Sequence, residues 1–302
     1  AYTLASDSVA HAWQYQGYAL VRAGLLDDHL QVMSGLSQVW TKNTTASELG
    51  GPGSTLQGAK TTYLEGVVLK PATWMSLYGS ASSNASISSV AGTPAVWQPG
   101  TEREVGLKTE NSGDRLGFTA DYFWVRQTNL ASQNPLYNLN PAAYPQEVLT
   151  DEANHGAEFE VVGGVTRNLS VVLDYTAMRL RDEFGRRLRN IPDETANALL
   201  DYRIGAGAFR RLSLIFGVQH NGDVAGETVT GFTSLGIPEK PGFYLPGWTV
   251  ENLGLSYPWR KFRLELNLDN ALDARFPWQP AGRNSISPYP GRAVRLRTAY
   301  HF

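Results

Sequence analysis

Several features that mark common protein classes are missing from this sequence. The 302 residues contain no cysteine, which excludes a disulfide framework and thiolate chemistry. No apolar run of about 18 residues occurs, so no transmembrane helix is predicted. The net charge is −2, whereas nucleic-acid-binding proteins usually carry a basic surplus. We therefore expect neither membrane-spanning helices nor nucleic-acid binding.

Motifs for catalysis are missing as well. The chain has no nucleophile elbow, phosphate-binding loop or zinc-protease motif. Its five histidines are scattered, and only His155 and Glu158 approach ligand spacing. On a strand these two side chains would point to opposite faces, which argues against a zinc site. We expect no enzyme activity, no metal site and no cofactor.

What the sequence does contain is alternation with a period of two, which is clearest near its end. Because a strand points successive side chains to opposite faces, each of two runs has one apolar and one charged face. In the first run the apolar residues are Phe262, Leu264, Leu266 and Leu268, and they alternate with Lys261, Arg263, Glu265 and Asn267. In the second run Val294, Leu296, Thr298, Tyr300 and Phe302 alternate with Arg295, Arg297, Ala299 and His301.

Two environments suit such strands: a soluble sandwich, or a membrane barrel with its apolar face on lipid. Strand length favours the barrel, because about 11 residues tilted by about 45° span roughly 26 Å, close to an outer-membrane apolar band. Arg263, Arg295 and Arg297 all share one face, as a barrel requires. The eight Trp and 14 Tyr suit interfacial girdles, although they would equally suit the core of a soluble β protein.

The whole chain follows this pattern, with few helix signals. We find about thirteen alternating runs, near residues 11–24, 29–41, 60–70, 74–83, 101–110, 115–127, 154–164, 168–180, 193–203, 211–220, 247–257, 260–270 and 291–302. Short connections alternate with long ones near 42–59, 84–100, 128–153, 181–192, 221–246 and 271–290, as in barrels with short periplasmic turns and long extracellular loops. The predicted fold is all-β: an antiparallel transmembrane β-barrel, a meander of about 13–14 strands, in which Tyr2–Ala5 would end one further strand.

Several motifs, in order, resemble one family. They are Glu104–Lys108 (EVGLK) with Gly117–Phe123 (GFTADYF), Gly156–Glu160 (GAEFE), Asn190–Pro192 (NIP), Pro246–Gly254 (PGWTVENLG), Asn267–Phe276 (NLDNALDARF), and Pro290–Arg292 with Tyr300–Phe302. Together they resemble the barrel of TonB-dependent outer-membrane receptors, most closely the siderophore receptors. Glu251 stands where that family has an apolar outward residue, which predicts either a place near the loop-side rim or a register shifted by one. Asn252 replaces a usual Asp.

The resemblance implies one barrel domain over residues 1–302, part of a 22-stranded type of barrel in the bacterial outer membrane. It implies uptake of a ferric siderophore or similar chelate, energised through TonB by a plug domain. No plug or TonB-contacting box matches here, and the N-terminus does not resemble a signal peptide, so we expect a removed leader or a piece of a longer protein. The alternative is a truncated barrel that closes on itself as a passive pore. The terminal Phe302 would be read by the assembly machinery.

Candidate ligand-binding residues are the aromatic residues of the predicted long connections, since ligand pockets are lined by aromatic side chains with a few polar anchors. They are Trp97, Tyr137, Tyr144, Phe243, Tyr244, Trp278 and Tyr289, which could equally pack the loops or form the upper girdle. A basic cluster, Arg186, Arg187 and Arg189, is a candidate for binding lipopolysaccharide phosphate, or a solvated loop. The expected partners are outer-membrane lipid, a ferric chelate, and TonB through a plug.

Overall fold

The computed structural model describes residues 8–47, 53–88, 90, 94–110, 116–138, 140–227, 241–280, 282 and 284–300. Almost all of its regular structure is antiparallel strand, as predicted. The strands are β1 (Ser8–Leu25), β2 (Leu30–Ser47), β3 (Ser54–Ala72), β4 (Met75–Ser88), β5 (Val96–Glu110), β6 (Leu116–Gln133), β7 (Glu147–Gly164), β8 (Leu169–Met178), β9 (Arg181–Asp182), β10 (Glu194–Arg203), β11 (Ser213–Asn221), β12 (Val224–Ala225), β13 (Tyr244–Leu245), β14 (Trp248–Trp259), β15 (Phe262–Asp269), β16 (Pro277–Pro280), β17 (Ile286–Pro288) and β18 (Ala293–Tyr300). In the described part no helix is long and apolar enough to cross a membrane.

Thirteen of these strands form one meander, and each of them overlaps one of the predicted alternating runs. The order is β1-β2-β3-β4-β5-β6-β7-β8-β10-β11-β14-β15-β18, with β9 added beside β7. Among the described residues β1 pairs only with β2 and β18 only with β15. The direct pairing of first and last strands that a self-closing pore would require is therefore not found in this part of the chain. Tyr2–Ala5 and Phe302 lie outside the described residues.

The two faces of the sheet follow the predicted parity. On one face Leu266, Val294 and Leu296 are 41%, 67% and 76% exposed. On the other face Arg295 pairs with Asp269 at 2.7 Å and Arg297 with Glu265 at 3.7 Å, each across the β15–β18 ladder. We call these the apolar face and the charged face. No second sheet or helix layer of described residues covers the apolar face. The described part of the chain therefore lacks the second layer that a sandwich requires.

The strands of the first half extend further than the alternation predicted, and this corrects several predicted loops. β1, β2 and β3 have 18, 18 and 19 residues. Polar residues such as Thr44 and Thr55 continue the β2–β3 ladder beyond the alternating runs. Backbone pairing does not need the apolar–polar alternation, so the sequence signal stops before the ladder does. Parts of the predicted connections 42–59, 84–100 and 128–153 are thus strand, and Trp97 lies on β5.

Glu251 keeps the predicted register, with Val218 as its partner on β11. It lies three residues after the start of β14, at the end of the sheet that carries the long connections. The first of the two readings, a position near the loop-side rim, is therefore confirmed.

Candidate functional site

Three long connections come together at one end of the strands. Their described parts are residues 179–193, which follow β8, residues 222–227 and 241–247, which follow β11, and residues 270–280, 282 and 284–292, which follow β15. Asn190 joins all three, because its backbone N–H donates to the Ala225 carbonyl and its Nδ2 donates to the Pro280 carbonyl, both at 3.0 Å. Asn190 has φ 64°, a left-handed conformation that asparagine tolerates better than most residues. We call this assembly the loop platform.

The centre of the platform is a stack of four aromatic rings. Trp248 lies 5.0 Å from Phe276 at an interplanar angle of 12°, and Phe276 lies 4.6 Å from Tyr289. Trp278 meets the edge of Tyr289 at 5.4 Å and 81°. Trp248 has the strand parity of Asn252, so it projects on the charged face at the long-loop end of β14. The stack therefore lies above the polar wall and away from the apolar face.

A buried asparagine shapes the loop that carries three of these rings. Asn270 is 1% exposed, and its Nδ2 donates to the carbonyls of Ala274 and Pro290 at 3.0 Å each. Its Oδ1 accepts the Ala274 N–H at 2.7 Å, and its own N–H is bound by Asn252 Oδ1 at 3.0 Å. Asp273 Oδ1 accepts the Arg292 N–H at 2.9 Å. These side-chain-to-backbone hydrogen bonds of Asn270 and Asp273, which we call the Asn270 knot, fix the turn in the segment Asn267–Phe276. They thereby position Phe276 and Tyr289.

Three arginines tie the β8–β10 loop together. Arg181 binds both oxygens of Asp193 at 2.9 and 2.8 Å, and the buried Arg186 binds Asp182 at 2.6 Å. Arg187 donates to Asp223 in the neighbouring loop at 2.5 Å and lies 3.4 Å from Asp193. Its guanidinium also faces the Tyr244 ring at 5.6 Å. Loop residues far apart in sequence are therefore held by charge-assisted hydrogen bonds.

These contacts set the ionisation of the loop carboxylates. Burial raises the pKa of Asp193, but the Arg181 hydrogen bond and the positive charges of Arg187 and Arg181 outweigh it, so the net pKa is lowered. The Asp193 hydrogen bond in turn raises the pKa of Arg181. The Arg181–Asp193 pair is therefore fully charged at neutral pH.

The predicted ligand residues divide into two groups. Trp278 and Tyr289 lie in the aromatic stack, and Tyr244 and Phe243 lie in the β12–β13 hairpin beside it, where the Gly226 N–H donates to the Phe243 carbonyl at 2.9 Å. Trp97 lies against Gly58 on β3, while Tyr137 and Tyr144 lie in the β6–β7 connection. No ring contact between described residues joins these last three to the stack.

Two members of the stack, Trp248 and Phe276, were absent from the predicted set. Both lie in the segments that carry the family resemblance, but neither was assigned to a ligand site. The parity of Trp248 could have revealed it, since it falls two residues before Val250 and four before Asn252 on the charged face. Phe276 could not be placed from sequence, because its position depends on the turn that Asn270 builds.

The comparisons with known proteins agree with this architecture. A family described as "TonB dependent receptor-like, beta-barrel" matches residues 2–271. The chain belongs to the TonB-dependent receptor β-barrel family. The β-barrels of this family are bacterial outer-membrane proteins, which assigns this chain to the bacterial outer membrane. Outer-membrane barrels have short periplasmic turns and longer extracellular loops.

Its relatives are named as receptors. It is 24% identical over 199 residues to the ferrioxamine B receptor of Salmonella typhimurium, covering 62% of this chain and 26% of the relative. It is also 24% identical over 206 residues to the metal-pseudopaline receptor of Pseudomonas aeruginosa, covering 66% of this chain and 27% of that one. The chain thus spans about a quarter of the length of these curated relatives.

A solved structure shows the same fold. The ferripyoverdine receptor of the Pseudomonas aeruginosa outer membrane, bound to ferripyoverdine, superposes with a TM-score of 0.78. The sequence identity is 20%, and the match covers 96% of this chain and 39% of that one. At this identity the likeness speaks for the fold alone.

Proposed function

We propose that this receptor barrel, one domain over residues 1–302, takes part in the uptake of a ferric siderophore or similar metal chelate. The observation that carries the proposal is the aromatic stack of Trp248, Phe276, Tyr289 and Trp278, at the extracellular end of the charged face. A ligand arriving from outside meets this platform before it reaches the polar wall.

The chemistry of the platform suits a chelate. Flat, unsaturated chelating groups stack on aromatic rings, and ring pairs add about 0.5–1.5 kcal/mol beyond the area they bury. Trp278 and Tyr244 are 36% and 40% exposed, so both offer free surface beside the stack. The relatives are named for ferrioxamine and metal-pseudopaline, which supports a cargo in which the chelator, and not the protein, coordinates the metal.

Transport would require energy from outside the barrel. In our proposal a plug filling the space along the charged face couples this barrel to TonB, and the chain performs no covalent chemistry. Ligand would be released when the plug is moved mechanically. Uptake of a radiolabelled ferric chelate by cells should therefore be lost when TonB is deleted, whereas binding to the cell surface should persist.

The binding step can be tested with matched aromatic variants. Tyr289→Ala and Trp278→Ala should each weaken ferric-chelate binding by about two- to tenfold, since each removes one stacking surface. Trp74→Ala is the control: Trp74 is 54% exposed, but it lies in the short turn between β3 and β4, at the opposite end of the sheet. No binding by the unaltered receptor, or equal losses in all three variants, would overturn the proposal.

The lipopolysaccharide prediction remains a separate proposal, with a narrower basis. Arg186 and Arg187 already have carboxylate partners, so they would have to exchange an internal ion pair for a lipid phosphate. Arg189 is exposed, and we propose it as the residue of the three that would contact phosphate first. Loss of lipopolysaccharide binding in Arg189→Gln, with chelate binding unchanged, is the expected result.

A further inference from the structure

A groove on the charged face, at the short-turn end of the strands, is lined by three arginines. Arg203 is the last residue of β10, Arg211 lies in the turn before β11, and Arg263 is the second residue of β15. Ser213 and Ser256 also line it, on the two strands between β10 and β15. The groove has a volume of about 380 Å³. Because small-molecule sites usually have about 300–1,000 Å³, it is large enough for a small ligand.

The groove carries an excess of positive charge. Its carboxylates are those of Glu265 and Asp201, and Arg297 lies 3.7 Å from Glu265. Among the described residues no ion pair or hydrogen bond engages the guanidinium groups of the three groove arginines. Within this part of the chain, three unpaired guanidinium groups therefore face the single carboxylate of Asp201. Such a balance attracts anions, because arginine pairs well with carboxylate, phosphate and similar oxygen anions.

The groove continues along the same wall towards the loop platform. A second cavity of about 510 Å³ adjoins it, and Ile215 and Asn267 line both. The second cavity reaches Asn252, whose Oδ1 binds the N–H of Asn270 in the Asn270 knot. Along β15 the distance from Arg263 to Asn270 is about 23 Å, at about 3.3 Å per residue. The two cavities therefore join the aromatic stack to the arginines.

The wall between the two ends is polar but nearly neutral. Two carboxylates line the second cavity, and both already have partners. Asp174 accepts a hydrogen bond from Asn197 at 2.8 Å, and Asp269 lies 2.7 Å from Arg295. The uncharged polar residues that line this cavity are all amides: Asn197, Gln219, Asn252 and Asn267. The wall thus changes from aromatic rings through amides to free positive charge.

We propose that this wall guides an anionic chelate from the platform to the short-turn end, and that the three groove arginines form its last binding site in the barrel. The cargo class is then a ferric chelate with a net negative charge, a step that rests on the proposed function. An anion that leaves water needs compensating charge, and arginines supply it in anion-selective pores. The three arginines are exposed, so they hold an anion without enclosing it and let it leave on the periplasmic side.

Uptake of two synthetic iron complexes by cells that make the whole receptor, including its plug, can test this site. A ferric tris(catecholate) is an anion, whereas a ferric tris(hydroxamate) has no net charge. The triple variant Arg203→Gln, Arg211→Gln and Arg263→Gln should take up the catecholate complex about tenfold or more slowly, because it loses charge-assisted hydrogen bonds to the anion. Surface binding of this complex, measured in cells without TonB, should be unchanged. The corresponding triple lysine variant keeps the charges and should restore most of the uptake.

Three other arginines at the same end provide the matched control. They lie in short turns and do not line the groove: Arg167, Arg210 and Arg260. Replacing all three by glutamine removes the same number of positive charges, and uptake of the catecholate complex should stay near the native rate. Equal slowing in the control and in the groove variant would show a general effect of charge at this end and would overturn the proposed site.

The remaining outcomes separate this site from the proposed function. Undiminished uptake of the catecholate complex by the groove variant overturns the site and leaves chelate uptake standing. Binding of only the uncharged complex by the native receptor does the same, whereas the proposed function falls only if no ferric chelate binds. If the arginines instead hold an acidic surface of the plug, the groove variant should admit vancomycin, a large antibiotic that intact outer membranes exclude. Increased vancomycin sensitivity would therefore also overturn the site.

Discussion

Replacing Asn270 by alanine should release the loop that carries Phe276, Trp278 and Tyr289. The substitution removes three side-chain hydrogen bonds, to the Ala274 N–H, the Ala274 carbonyl and the Pro290 carbonyl. At about 0.5–1.5 kcal/mol each, their loss costs about 1.5–4.5 kcal/mol. Asn270 also has φ 50°, where alanine costs about 1–2 kcal/mol more.

The loss should appear as local opening, because the ladders of β14, β15 and β18 do not depend on this side chain. The two costs together, about 2.5–6.5 kcal/mol, raise the open population by roughly two to five orders of magnitude. Hydrogen exchange at the Tyr289 amide measures this opening in the folded receptor, because its acceptor, the Phe276 carbonyl at 3.0 Å, is kept in the variant. The His29 amide, bound to the Leu26 carbonyl at 3.1 Å in a turn at the opposite end, serves as the internal control.

Two further variants separate the causes. Asn270→Gly tolerates the left-handed backbone and loses only the hydrogen bonds. The free energy of loop opening should therefore be about 1–2 kcal/mol higher in the glycine variant than in the alanine variant. Asn270→Asp keeps an acceptor for the Ala274 N–H but loses the donors to the Ala274 and Pro290 carbonyls. Its free energy of loop opening should therefore lie between those of the native receptor and the glycine variant. Unchanged protection of the Tyr289 amide in Asn270→Ala would refute the reasoning, and equal protection in the alanine and glycine variants would refute the backbone part.

Three more outcomes are expected. Gly106→Ala should destabilise the barrel wall by about 1–3 kcal/mol, because the new Cβ would enter the Tyr78 ring. Adding Tyr78→Ala should relieve this clash. Gly217→Ala is the control, since no atom lies nearer than 3.8 Å to its new Cβ, and thermal unfolding should show little loss of stability. Since the pKa of Asp193 is lowered on folding, its pair with Arg181 contributes stability above the unfolded pKa of about 3.9 and loses it as pH falls through the folded pKa. The difference in unfolding temperature between native protein and Asp193→Asn should therefore be constant near neutral pH and shrink below about pH 4. Arg187→Gln and Asp223→Asn should be non-additive in a double-mutant cycle, whereas Arg187→Gln and Asp273→Asn should be additive, because Asp273 pairs with Arg275 in another loop.

The strands of the barrel wall were predictable because each strand has its own alternation of apolar and polar residues. The parity of Arg263, Arg295 and Arg297 can be read without knowing any neighbour, and it predicted which face of β15 and β18 carries these charges. The loops follow different physics. Asn190 binds a carbonyl ninety residues away at Pro280, and nothing local marks that contact. Arg186 and Arg187 read as a free basic cluster because the sequence does not show which of several nearby carboxylates they bind.

The Asn270 knot and the Asn190 bridge have a consequence for how such receptors can vary. Both bind main-chain atoms, so they hold the backbone of the loops while leaving most outward side chains uncommitted. Residues such as Trp278 can therefore be exchanged without dismantling the frame beneath them. Laboratory selection for a new cargo should accumulate substitutions at these surface positions, and should leave the two asparagines untouched.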